Sequence, residues 1–64
     1  MRDTMSHLLT TAEVAEWFSR PERTLVQWRY IGKGPDYVKV GGHIRYDAAD
    51  VQSWLDDQRV GIRR

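Results

Sequence analysis

Two helix-start signatures lie nine residues apart in this chain, and that spacing limits the folds open to it more than any other feature. Thr10-Thr11-Ala12-Glu13 sets a hydroxyl N-cap three residues ahead of a glutamate, a capping box, and Leu9 before the cap can staple onto Val14. Ser19-Arg20-Pro21-Glu22 repeats the pattern with proline in the first turn, where its missing N–H costs nothing. One helix of about two turns must therefore stop, and a second start, within a few residues. Val14, Ala15 and Phe18 supply the inward stripe of the first helix, with Trp17 at its edge. On the second, Leu25, Trp28 and Gly32 mark one side. Gly32-Lys33-Gly34-Pro35 ends it, because glycine suits a left-handed cap and proline cannot continue a helix.

Two short helices joined by a tight turn read as a helix-turn-helix. Tyr37 to Tyr46 then alternates around Gly41-Gly42 and is rich in β-formers, which predicts a two-residue hairpin. Val38, Val40, Ile44 and Tyr46 are expected to point inward, leaving Lys39, His43 and Arg45 outward. Asp47 is the expected N-cap of a third helix, whose apolar face is Ala48, Val51, Trp54 and Leu55 and whose wet face carries Asp50, Asp56 and Asp57. The expected fold is mainly α with a small β-hairpin: helix, turn, recognition helix, two-stranded wing, third helix. Residues 1–7 read as a flexible leader, 8–58 as the domain and 59–64 as a basic frayed tail.

At 64 residues the chain holds one small domain, and with no cysteine it has no disulfide to brace it. Chains this short bury only about 60% of their unfolded surface, so three tryptophans, three tyrosines and one phenylalanine must carry much of the packing. Trp28 and Trp54 are therefore expected in the core, whereas an exposed Trp17 would suit a protein contact. Catalysis finds no support. His7 and His43 have no Cys/His neighbours for zinc, the serines have no placeable base, and the glycines lack the spacing of a phosphate loop. The expectation is no enzyme, no metal and no cofactor. No apolar run reaches the length of a membrane span and the N-terminus has no signal-peptide core, so a soluble intracellular protein is expected.

A net charge of +1 conceals a segregated pattern. Ser19 to Tyr46 holds Arg20, Arg23, Arg29, Lys33, Lys39 and Arg45 against Glu22 and Asp36, while Asp47 to Asp57 holds four aspartates and no cation. A positive middle facing an anionic partner is implied, with its cations converging on one surface. Opposite Leu25 and Trp28, the second helix should present Arg23 and Tyr30, flanked by Arg20, Val26 and Gln27, with Thr24 at the margin. Such side chains read base edges and grip phosphates, so Arg20, Arg23, Thr24, Gln27 and Tyr30 are candidate DNA contacts. Lys39, His43 and Arg45 would add a wing that tracks the backbone or a minor groove. Arg29 lies nearer the core boundary, where its stem can cover apolar surface. The acidic third helix could meet a basic wing or tail on a neighbouring copy, giving head-to-tail assembly on DNA.

The segments 9–15, 19–28, 34–46 and 50–55 appear in order without insertions, and together they resemble the winged helix-turn-helix of phage excisionases and their AlpA-like and MerR-like relatives. The resemblance spans roughly residues 8–58 and is nearest to excisionases of actinobacteriophages, on the expectation that no effector domain or dimerising coiled coil follows the third helix. It implies a recombination directionality factor in the cytoplasm of a bacterial host, which binds and bends attachment-site DNA and directs a phage integrase toward excision. It also implies major-groove contacts from Arg20, Arg23, Thr24 and Gln27, and minor-groove or backbone contacts from Lys39, His43 and Arg45. Gly41-Gly42 stands where many relatives carry a basic residue, which lowers the charge expected at the wing tip. Two other roles fit the same residues: a small prophage or mobile-element transcription regulator, and an adaptor that docks on an integrase through Trp17 or the third helix.

Overall fold

The computed structural model describes residues 8–60. The leader assigned to 1–7 and tail positions 61–64 lie outside the described residues. The elements are β1 (Leu8–Leu9), α1 (Thr11–Phe18), α2 (Glu22–Ile31), β2 (Val38–Val40), β3 (His43–Asp47) and α3 (Ala48–Asp57). The strands form one antiparallel sheet in the order β1-β3-β2. The two-residue β1 is too short to have a legible period, so it escaped the sequence pattern.

α1 starts as its capping box dictates. The Thr10 Oγ1 accepts from the Glu13 N–H at 3.1 Å, and the Glu13 Oε1 accepts from the Thr10 N–H at 2.8 Å. α3 starts at Asp47, whose carboxylate accepts from the Ala49 N–H at 2.8 Å. The second expected capping box does not form. Ser19 closes α1 instead, in the left-handed region at φ 57°, where its N–H reaches the Glu16 carbonyl and the Arg20 N–H reaches that of Ala15. That is a Schellman ending, and a residue committed to it is not free to cap the next helix. Pro21 is the N-cap of α2, with no side-chain bond, so it precedes the first turn rather than sitting in it.

One element contributes to each corner of the core. Val14 and Ala15 from α1, Leu25 from α2, Tyr46 from β3 and Val51 from α3 are buried, with Leu9, Phe18, Trp28, Ile44 and Leu55 packed around them. Trp28 and Trp54 are half-buried and pack together, their ring centroids 5.4 Å apart, while Phe18 stacks on Trp54 at 5.6 Å. Gly34 lies against this cluster, where a Cβ would fall 2.9 Å from Trp28 Cε3.

Both glycines of the hairpin turn have positive φ, 57° and 88°, as a primed two-residue turn requires. The register pairs Val38 with Arg45, Lys39 with Ile44 and Val40 with His43. Directly opposed residues share a face, so the expected division of the hairpin is overturned. Val38, Val40, His43 and Arg45 lie on one side, and Lys39 joins Ile44 and Tyr46 on the other. A two-residue turn necessarily sets Val40 opposite His43, so no register could have placed all the apolar residues on one face. The whole is a winged helix-turn-helix.

Candidate nucleic-acid interface

α2 presents a continuous exposed arc. Arg23, Val26, Gln27 and Tyr30 recur at i, i+3, i+4 and i+7, a stripe about 100° wide. All four are exposed, Tyr30 at 91%. Thr24 is half-buried at the margin and Leu25 is fully buried behind it. At 1.5 Å per residue this ten-residue helix is about 15 Å long. The width of an α-helix suits a B-DNA major groove of about 12 Å. Arg20 is exposed in the turn just before α2, its backbone held by the Schellman bond.

Arg29 does not join this arc. Its Nη1 donates to Tyr46 Oη at 2.8 Å and to Thr11 Oγ1 at 3.1 Å, and its guanidinium lies 5.6 Å from the Tyr37 ring centroid. One side chain thus ties α2 to α1, to β3 and to the loop entering the wing. It satisfies the hydroxyl of Tyr46, which is 1% exposed. An unpaired phenol there would cost about 1–3 kcal/mol.

On the wing, His43 is exposed and Arg45 half-buried on the valine-bearing face, with Arg45 Nη1 donating to the Ile44 carbonyl at 2.7 Å. Lys39 is exposed on the opposite face. The cations from 20 to 45 therefore do not form a single sheet of charge. Arg23 lies on the outer arc of α2, Arg45 and Lys39 lie on opposite faces of the wing, and Arg29 is half-buried and turned toward Thr11 and Tyr46. Among the described residues, the one ion pair joins Arg59 to Asp56 at 3.1 Å, remote from these positions in sequence. That contact, with the Gln52 amide, holds the Asp56 carboxyl below its ordinary value of 3.8.

Two hollows escaped the sequence reading. The first, about 650 Å³, opens where α1, α2 and α3 meet and is lined by Trp17, Phe18, Trp28 and Trp54, with Arg20 and Lys33 also on its wall. Trp17 is 42% exposed, as its edge position in α1 implied. The second, about 280 Å³, collects Asp36, Asp50 and Asp57 beside Ser53 and Trp54. The charge run signalled the aspartates of α3, but Asp36 joins them only through the fold. Among the described residues no group of three His, Cys, Asp or Glu side chains could hold a metal ion, and no helix is long and apolar enough to cross a membrane.

A family model described as a helix-turn-helix domain matches residues 8–59, the span from β1 to just past α3. No curated protein matches the chain.

Proposed function

The chain belongs to the helix-turn-helix domain family and is a small protein that binds duplex DNA, and from that premise we propose that it acts as an excisionase. In this reading α2 enters the major groove of attachment-site DNA and the wing follows the neighbouring minor groove or backbone. Arg20, Lys39, His43 and Arg45 hold the duplex, and Arg23, Thr24, Gln27 and Tyr30 meet base edges and the flanking backbone. The bend that such binding favours brings integrase sites together for excision. The observation that carries the grip is the uninterrupted exposed arc of α2, held to the wing by Arg29. Adjacent copies stack head to tail on repeated sites. The hollow lined by Asp36, Asp50 and Asp57 supports this, since it offers three carboxylates to a cation of the next copy.

Footprinting over the attachment region of the parent genome, with excision scored in the same reactions, tests the proposal. Protection of sites beside the attachment core and excision that depends on the protein are expected. Promoter binding without any effect on excision would instead identify a transcription regulator. Sedimentation on one-site and two-site duplexes tests the stacking, which independent filling of the two sites would refute.

The aromatic hollow around Trp17 favours a second reading, an adaptor that docks on an integrase. It differs in its demand for DNA. An adaptor would give no shift with random duplex in a gel, whereas the proposed excisionase shifts it at low salt.

A further inference from the structure

Val26 is 46% exposed in the middle of α2, on the same arc as Arg23, Gln27 and Tyr30, and is not part of the buried core. A β-branched side chain on a solvated helix face loses rotamer freedom and leaves apolar surface in water, so the fold gains nothing from valine there. A docked surface that offers an apolar group at that point reverses the balance. In the DNA major groove the apolar group on a base edge is the C5-methyl of thymine. Gln27 is the next residue, and a glutamine amide pairs with N6 and N7 of adenine. At 100° per residue, Val26 and Gln27 straddle the direction of Arg23 by about 60° on one side and 40° on the other. The thymine methyl and the adenine N6/N7 edge of one base pair lie side by side across the groove, and Val26 and Gln27 form a matching apolar and amide pair.

We infer that Val26 and Gln27 together read a single A·T pair, Val26 against the thymine methyl and Gln27 on the adenine, with Arg23 on a guanine within two base pairs of it. The spacing follows from the helix. Arg23 precedes Val26 by three residues and Gln27 by four. At 1.5 Å per residue that is about 4.5–6 Å, against about 3.4 Å between stacked bases. This assignment rests on the reading that α2 occupies the major groove.

The test uses the full chain and a pool of duplexes with a randomised centre, from which bound sequences are selected. Each thymine of a selected duplex is then replaced by deoxyuridine, which removes the methyl and keeps the base pair. Selected sequences should share an A·T pair within two positions of a G·C pair. Uracil at that thymine should weaken binding about four-fold, as loss of one buried methyl implies. With Val26→Ala the uracil penalty should vanish, and with Gln27→Ala the preference for adenine at the same pair should relax. Circular dichroism and thermal melting check that both variants fold, and neither side chain is in the core. Uracil that is silent at every thymine, or a penalty that survives Val26→Ala, overturns the inference. Salt-sensitive binding with no selected sequence also overturns it while leaving the DNA reading intact. Absence of salt-sensitive binding to any duplex overturns both.

Discussion

Ser19 has the only positive φ among the described non-glycine residues, and the turn between α1 and α2 depends on it. A side chain in the left-handed region costs about 1–2 kcal/mol that glycine avoids. Ser19→Gly should therefore raise stability by about 1 kcal/mol in denaturant unfolding without altering DNA affinity, since its hydroxyl caps nothing. The sequence motif misled here because Ser-x-x-Glu looks the same whether the serine opens one helix or closes another, and only the Schellman bonds distinguish the two. Gly34 has the opposite character. An added methyl would meet Trp28 at 2.9 Å with φ at +84°, so Gly34→Ala should lower stability by roughly 2 kcal/mol or more. Arg23→Ala should cost about 1–3 kcal/mol on the specific site and much less on random duplex, if its guanidinium makes a bidentate guanine contact. Equal losses on both, in parallel titrations, would remove Arg23 from base reading.

At the scale of the elements, Arg29 ties α2 to β3 of the wing. Tyr46→Phe deletes the Oη that accepts from Arg29 and should cost about 1–2 kcal/mol in thermal or chemical unfolding. Three helices, the hairpin turn, two of the three N-caps and the outer arc of α2 were legible because each rests on local chemistry: a carboxylate three residues past a hydroxyl, paired glycines, a 3.6-residue period. What was not legible depends on partners far away in sequence. Helical spacing sets Arg29 nearer the core boundary, but its partners Thr11 and Tyr46, 18 and 17 residues distant, appear only in the fold. The hairpin faces follow from the pairing of Val40 with His43, a consequence of turn length that hydrophobic alternation alone hides. Separation of the wing cations is itself testable. A wing set in a groove meets phosphates on both walls, Lys39 on one side and Arg45 on the other, so Lys39→Ala and Arg45→Ala should each lower affinity, and a loss from only one of them in titrations on one duplex would mean that a single face is engaged.

For the molecule as a whole, a core of five buried residues holds α2 and the wing together, and in the proposed function the two close on duplex DNA. Such a grip needs no large net excess: Asp47 and the three aspartates of α3 are set apart along the chain from Arg20, Arg23, Lys33, Lys39 and Arg45 on α2, its flanking loops and the wing. Counterion release measures such a grip directly, at about 0.9 per phosphate neutralised on B-DNA. The deciding measurement is the affinity for duplex DNA across a salt series. With Arg20, Lys39 and Arg45 each on a phosphate and Arg23 on a base edge, log K should fall against log salt with a slope of about −2.7, and Lys39→Ala should make it shallower by about 1. A slope near zero, unchanged by Lys39→Ala, would contradict the account.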